Sequence, residues 1–179
     1  GRVKVSTTAD DGCQTIIRIA APEDLFGEGA VLGPNARAEQ AMALETVNVM
    51  AWTTAEIESQ IEREPKLGIA LSQYVIARCI ELGDRIESMA FYKTPERVAI
   101  ALLQLSASLG EERADGSTRI GALTHHVIAE FVGTSREIVT FQMNRLRRLG
   151  LLRYSRRFID VNVPALEDTL RQNGIGIPG

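Results

Sequence analysis

A long stretch of helical periodicity constrains this chain more than any other feature. Apolar residues recur every three or four positions over residues 67–92, which predicts one helix about 40 Å long. A first stripe contains Leu67, Leu71, Val75, Arg78, Leu82, Ile86 and Met89. A second stripe, nearly opposite, contains Ile69, Ile76, Ile80 and Phe91. A helix with two apolar sides needs two surfaces to bury them.

Two arrangements satisfy this requirement. We expect the first stripe to pack against the same helix of a second copy, as in a two-stranded coil, and the second stripe to pack on the chain's own preceding residues. The alternative is a single central helix inside a monomer. Arg78 is a polar interruption of the first stripe, and its partner cannot be inferred from the sequence.

Residues 1–53 alternate between polar and apolar side chains as half-buried antiparallel strands do. Val3 and Val5 form one such pattern, Ile17 and Ile19 flank Arg18, and residues 42–44 and 47–51 repeat it. This predicts a small all-β unit. The chain opens directly in a strand and these strands are too few to close a barrel, so we expect further strands to precede them.

The composition agrees with a globular protein, because 45% of the 179 residues are hydrophobic and 24% are charged. The longest apolar run, residues 98–103, is far short of the roughly 18 residues of a membrane span. With no export signal at the start, we expect a cytoplasmic protein with no membrane partner. Cys13 and Cys79 lack metal-binding spacing and are expected to be buried thiols.

Charge is distributed unevenly along the chain. Residues 119–160 hold eight arginines against Glu130, Glu137 and Asp160, or +5, whereas the remainder holds 12 basic and 20 acidic residues, or -8. A basic block on an acidic body predicts that one end of the molecule binds a polyanion.

The second half of the chain is predicted to form a separate domain. Thr94 and Pro95 read as the cap and first position of a helix over residues 95–109, which Gly110 ends before a polar loop at 111–118. We therefore divide the chain into a β unit at 1–64, a dimerisation helix with its hinge at 65–93, and a C-terminal domain at 94–179.

Residues 124–149 predict two short helices joined by a tight turn at Gly133 and Thr134, which is a helix-turn-helix signature. The segment 134–137 reads as a capping box for the second helix. On a helical wheel its predicted core face contains Ile138, Val139, Met143, Leu146 and Leu149. The opposite face carries the predicted contacts to DNA bases, which are Arg136, Glu137, Thr140, Phe141 and Asn144.

Each residue type on this face suits a base edge. The Arg136 guanidinium matches guanine O6 and N7, the Glu137 carboxylate accepts from cytosine N4, and the Phe141 ring packs on a thymine methyl group. The alternative to a DNA-reading face is an ordinary solvent-exposed helix on which Phe141 is a single stray aromatic residue. Predicted phosphate contacts are His125, Ser135, Arg147, Arg148, Arg156 and Arg157. Arg156 and Arg157 lie at the tip of a predicted hairpin of residues 151–154 and 158–163. This hairpin is interpreted as a wing that lies against the DNA backbone, and a solvated turn is the alternative.

The segment LTHHVIAEFVGTSREIVTFQMNRLRRLGLL resembles the DNA-binding part of the Crp-Fnr family of bacterial transcription regulators. The GRVKV opening and the FGE at 26–28 resemble that family's cyclic-nucleotide-binding β-roll, and the -SRE- at 135–137 its base-reading motif. The resemblance implies an α+β fold with a partial antiparallel β-roll, a long dimerisation helix and a C-terminal winged helix-turn-helix domain. Phe141 stands where members usually carry Arg.

The resemblance also implies an effector pocket, formed by Gly27, Glu28, Arg37, Ala38 and Leu82. Members that bind cyclic AMP have a hydroxyl residue at the position of Ala38 and a polar pair where this chain has Leu82 and Gly83. We therefore expect cyclic AMP to bind weakly or not at all, and the cofactor stays unknown. No cysteine cluster for iron and sulfur is visible, and the adjacent His125 and His126 diverge on a helix, so no metal is expected.

These observations predict a homodimeric regulator that binds a palindromic duplex site, with RNA polymerase as a further partner. Two alternatives stay open, a regulatory module whose C-terminal domain contacts protein and a DNA binder that needs no effector. An enzyme is disfavoured, since the sequence has no Ser-His-Asp order, no GxSxG motif and no P-loop.

Overall fold

The N-terminal part of the computed structural model, which describes residues 1–33 and 39–176, is a small antiparallel sheet. Strands β1 (Val3–Thr8), β2 (Gln14–Ala20) and β3 (Gln40–Ala43) lie in the order β2-β1-β3. The register of β1 against β2 shifts between Val5 and Ser6. Because of this bulge Ile16 and Ile19 both point into the core, and Ile17, expected to be equivalent to Ile19, is only half-buried.

The chain after β3 differs from the sequence prediction in two ways. Residues 47–51, expected as a strand, form no strand, and Val49 and Met50 are exposed. The next element is a helix instead, α1 (Thr54–Arg63), which a capping box begins: the Thr53 side chain accepts from the Glu56 backbone, and the Glu56 carboxylate accepts from the Thr53 N–H. The Thr-x-x-Glu spacing of this box can be read in the sequence and indicates the start of a helix.

The long helix is confirmed as α2 (Pro65–Phe91), 27 residues, but it packs differently from the prediction. A polar side faces its own chain. The Tyr74 hydroxyl accepts from Arg18 and donates to the Leu25 carbonyl, 2.9 Å away. The Arg85 guanidinium donates to carbonyls of β2 and of residue 131, and its burial depresses the Arg85 pKa. Arg78, whose partner was unknown, pairs with Glu81 at 2.5 Å.

The prediction that the second apolar stripe packs on the β unit was therefore wrong. Its members remain 59–77% exposed: Ile69, Ile76, Ile80 and Phe91. Four members of the first stripe are 44–69% exposed: Val75, Leu82, Ile86 and Met89. The spacing of apolar residues alone did not predict this packing, because tyrosine and arginine can bury a helix side when their polar ends find carbonyl partners.

The C-terminal part packs helices on a second antiparallel sheet. Its helices are α3 (Thr94–Leu109), α4 (His125–Val132), α5 (Arg136–Arg148) and α6 (Val163–Gln172). Its strands are β4 (Glu111–Glu112), β5 (Thr118–Gly121), β6 (Leu152–Tyr154) and β7 (Phe158–Val161), in the order β4-β5-β7-β6. The pairing of β6 with β7 forms the wing. The α+β class, the helix-turn-helix and the wing are thus confirmed.

Several local expectations for this part were wrong. Lys93, not Thr94, occupies the cap position of α3, and no side chain caps that helix. The polar loop after Gly110 contains a short hairpin of β4 and β5, and residue 163 begins α6 behind an Asn162 cap instead of ending a strand. Asn162 is a standard cap residue, so this signal was available.

The two sheets share one hydrophobic core. Ile16 and Ile19 of the first sheet cluster with buried side chains of α3, α4 and α5. A largely buried ion pair, 2.9 Å between Lys4 Nζ and Glu130 Oε2, joins β1 to α4. The first helix of the helix-turn-helix is consequently held against the N-terminal unit.

Both cysteines are exposed, so the expectation of buried thiols was wrong. Cys79 is exposed on α2, and Cys13 lies just after the β1–β2 turn. Within the described ranges, no helix has the length and apolar character needed to cross a membrane.

Candidate nucleic-acid interface

The turn between α4 and α5 is built by one glycine and two caps. Gly133 ends α4 with φ 71°, a left-handed conformation that glycine adopts without strain. The Thr124 hydroxyl caps α4, and the Ser135 hydroxyl caps α5 by accepting from the Ile138 N–H at 3.3 Å. The expected capping box of 134–137 is not formed, since Ser135 occupies the cap position itself.

One side of α5 anchors the helix in the core. Val139 and Met143 are fully buried, and Leu146 is buried with them, as predicted. Ile138 and Leu149 are 41% and 59% exposed, so their assignment to the core was wrong. Both lie at one edge of the apolar arc, and Gln142, nearer the centre of that arc, is buried instead.

The opposite side of α5 is open. Arg136, Glu137 and Phe141 are exposed, Thr140 and Asn144 are half-buried, and all five share one helix side. Their contacts with bases remain a prediction. Phe141 is 59% exposed on this side.

Glu137 is prepared to act as a hydrogen-bond acceptor. The favourable interaction of its own backbone N–H and of the Ser135 hydroxyl with the carboxylate, with Arg136 nearby, holds the pKa of Glu137 below its ordinary value. An ionised carboxylate accepts only, which suits the exocyclic amine of cytosine.

A polar cluster lies between α4, α5 and the wing. His125 Nδ1 is 2.8 Å from the Thr140 hydroxyl, which itself donates to the Arg136 carbonyl. Since the hydroxyl proton is used there, Nδ1 of His125 carries the proton and donates to Thr140. The Tyr154 hydroxyl donates to Asn144 Oδ1 at 3.0 Å. Tyr154 was not among the predicted site residues, because only the folded wing brings it to α5.

This geometry determines when the His125 side chain can donate a hydrogen bond to a phosphate. Burial, and secondarily Arg136, lowers the pKa of His125 below its ordinary 6.5. The neutral ring uses its one N–H on Thr140, so Nε2 can donate to a phosphate only after protonation. The phosphate contact stays a prediction.

This lowered pKa predicts a pH effect on stability. Below about pH 6.5 the unfolded chain binds a proton at His125 that the folded chain resists, so the free energy of unfolding falls as the pH falls. His125→Gln should show a smaller decrease in melting temperature between about pH 7.5 and about pH 5.5 than the parent protein. An equal decrease in both proteins would contradict the assignment.

The arginines of the basic block, residues 119–160, form two groups: some are held in ion pairs, and others are free to contact DNA phosphates. Arg119 forms a two-point ion pair with the buried Asp160, at 2.6 and 2.8 Å, and Arg153 pairs with Asp115 at 2.5 Å. The Arg119 bond also lowers the pKa of Asp160, which therefore stays ionised. Besides Arg153, six arginines of the block are exposed, and these six form no ion pair within the described residues: Arg136, Arg145, Arg147, Arg148, Arg156 and Arg157.

Arg156 and Arg157 lie on the wing. In the turn between β6 and β7 the Arg157 N–H donates to the Ser155 hydroxyl, and the Ser155 N–H donates to the Phe158 carbonyl. These bonds shape a turn whose two arginines face solvent. Phosphate contact by Arg156 and Arg157 remains a prediction that this placement allows.

The residues predicted to hold an effector are only partly assembled. Gly27 has φ 84° and precedes a 3-10 helix, Glu28–Leu32, and the Glu28 carboxylate lies 3.5 Å from Arg18. Leu82 lies on α2 and is 44% exposed. Arg37 and Ala38 lie outside the described residues. Among those that are described, no group of three His, Cys, Asp or Glu side chains could hold a metal ion.

A winged helix-turn-helix joined to a small antiparallel sheet by one long helix defines a DNA-binding transcription regulator. Comparisons with known proteins agree. A sequence profile of the Crp-like helix-turn-helix domain matches residues 96–169, and one of the cyclic nucleotide-binding domain matches residues 1–64.

Relatives with assigned functions extend the match. Transcriptional regulator SdrP of Thermus thermophilus is 30% identical over 154 residues, which are 86% of this chain and 71% of that protein. The CRP-like cAMP-activated global transcriptional regulator of Mycobacterium tuberculosis is 28% identical over 153 residues, 86% of this chain and 68% of that protein. The chain belongs to the Crp-Fnr family of transcription regulators, and it is not an enzyme.

The fold agrees with a solved structure of the same family. The crystal structure of a CRP/FNR-family transcriptional regulator from Thermus thermophilus superposes with a TM-score of 0.75 and 28% sequence identity, over 96% of this chain and 84% of that one.

Proposed function

We propose that this regulator acts as a homodimer that reads a palindromic DNA site through the outer side of α5. The observation that carries this proposal is the open side of α5, where Arg136 and Glu137 stand exposed in the first turn. In a two-fold dimer the two α5 helices would enter successive major grooves, about 34 Å apart. Arg147, Arg148 and the wing arginines would then neutralise flanking phosphates.

The exposed apolar side chains of α2 support dimer formation. Both apolar stripes leave large side chains exposed on this one helix, which is unusual for a surface that contacts only water. A second copy related by a two-fold axis would cover the side of the first stripe, with Val75, Leu82 and Ile86, on both helices. Leu82 and Ile86 are then central contacts of the dimer.

The N-terminal unit is proposed to be the sensor. Arg85 of α2 donates both to β2 and to the last turn of α4, so a shift of the sheet or of α2 reaches the helix-turn-helix directly. An effector would act through different affinities for two dimer arrangements. An effector-independent DNA binder remains the alternative within the same fold.

The effector stays unnamed. One relative is named cAMP-activated, whereas a 26% identical relative from Nostoc is named a global nitrogen regulator, so the family relationship does not choose the signal. Ala38, Leu82 and Gly83 lack the polar groups that a phosphate and a base would use, which disfavours cyclic AMP. RNA polymerase as a partner and a cytoplasmic location complete the proposal.

Selection of bound sequences from a random duplex pool, with and without cyclic AMP, tests this function. We expect an inverted repeat with a G·C pair in each half-site and no strong dependence on cyclic AMP. Absence of any enriched sequence would overturn the proposal, and a single unrepeated motif would contradict the dimer.

The salt dependence of binding makes a further prediction for the wing. Replacing both Arg156 and Arg157 with alanine should weaken binding to every duplex alike and lower the slope of log K against log salt by about 2 per protomer. An Arg153→Ala protein is the matched control, because that wing arginine is paired with Asp115. A slope that stays unchanged in the double variant would show that the turn is merely solvated.

A further inference from the structure

Tyr154 lies at the centre of the polar cluster behind α5, although no DNA contact was predicted for it. Its ring makes an edge contact with His125, with centroids 5.3 Å apart, and the Arg147 guanidinium carbon lies 5.2 Å from the ring centroid. Its hydroxyl donates to Asn144 Oδ1 at 3.0 Å. One wing residue thus touches α4 once and α5 twice.

The bond to Asn144 has a chemical consequence. A side-chain amide has an acceptor end, Oδ1, and a donor end, Nδ2. A free asparagine can show either end to a base, and it can bond both to the edge of adenine. When a tyrosine hydroxyl donates to Oδ1, the oxygen is held on the tyrosine side and the two ends are no longer equivalent.

The donor end of Asn144 is left available. Within the described ranges, Nδ2 has no hydrogen-bond partner, and it is not among the buried side-chain atoms that lack one. Asn144 lies one turn after Thr140 and Phe141 on the outer side of α5. Thr140 cannot substitute for it as a donor, since its hydroxyl proton is bonded to the Arg136 carbonyl.

We propose that Tyr154 is a specificity-determining positioning residue, whose hydroxyl turns the Asn144 amide so that its NH₂ group reads acceptor atoms in the major groove. The matching atoms are O6 and N7 of guanine or O4 of thymine. The inference rests on the proposed function, because it requires the outer side of α5 to lie in that groove. The wing then contributes to base reading without touching a base.

The test is a binding panel on the full-length protein, with every single base-pair variant of the selected site. Tyr154→Phe removes one hydroxyl and keeps the ring between His125 and Arg147. We expect Tyr154→Phe and Asn144→Ala to lose preference at the same base pair of each half-site, by about fivefold to tenfold. The double variant should lose no more than Asn144→Ala alone.

A third variant reverses the chemistry. In Asn144→Asp the Tyr154 hydroxyl keeps an acceptor, but the side chain now offers only acceptors to DNA. The preferred base at that position should change to one with a donor, cytosine N4 or adenine N6. Discrimination at the pair read by Arg136 should persist in all three variants.

Two results would overturn the inference. Tyr154→Phe could keep the base preference that Asn144→Ala loses, or it could weaken preference at every position equally, which would show that the tyrosine only supports the wing. A wild-type protein with no preference at any position would instead overturn the proposed function, and this inference with it. Melting temperatures of the variants separate these results from unfolding.

Discussion

Arg136→Ala is expected to abolish the preference of the protein for its selected site while most binding to random duplex persists. A guanidinium that bonds guanine O6 and N7 contributes about 1–3 kcal/mol of discrimination, and a symmetric site contains two such contacts. The fold should be unaffected, since Arg136 is exposed and its carbonyl, which binds Thr140, remains. Titrations with the selected site and with a scrambled site measure the two affinities.

The matched control is Arg145→Ala. Arg145 is an exposed arginine on the same helix, outside both the buried and the base-facing sides. Its replacement should weaken selected and scrambled duplexes equally and only slightly. If Arg136→Ala also lost affinity equally for both duplexes, Arg136 would be a phosphate contact and the base-reading assignment would be wrong.

A second large effect is expected at α2. Glutamate at both Leu82 and Ile86 should convert dimers into monomers, because two charges per protomer would have to be buried without partners. These side chains are 44% and 69% exposed within the protomer, so the fold of each copy should survive. Sedimentation velocity measures the mass, and affinity for the palindromic site should fall together with the dimer.

Ala77→Glu provides the control for that experiment. Ala77 is exposed on the opposite side of the same helix from Leu82 and Ile86, and it receives the same charge. It should leave the dimer intact. Persistence of dimers in the Leu82→Glu/Ile86→Glu protein would remove α2 as the dimer contact.

Local patterns explain why much of the fold could be predicted. The period of 3.6 residues identified α2 within two residues, and Gly133 with the cap residues located the helix-turn-helix. Capping and periodicity depend on neighbours in sequence, so a single chain shows them. The capping box at Thr53 was equally visible and was overlooked because the β pattern before it was extended too far.

Contacts between distant residues could not be predicted in the same way. The bulge that turns Ile16 inward depends on how β2 pairs with β1. The polar side of α2 is buried because Tyr74 and Arg85 find carbonyl partners on other elements. Tyr154 reaches Asn144 only because the wing folds back on α5.

Chemical protection of guanine N7 tests the central claim most directly, because this atom is reached only through the major groove. With the wild-type protein on its selected site, dimethyl sulfate should leave one guanine in each half-site unmodified, about 10 base pairs apart, and Arg136→Ala should restore their reactivity. Guanines that react equally with and without bound protein would show that α5 does not lie in the major groove.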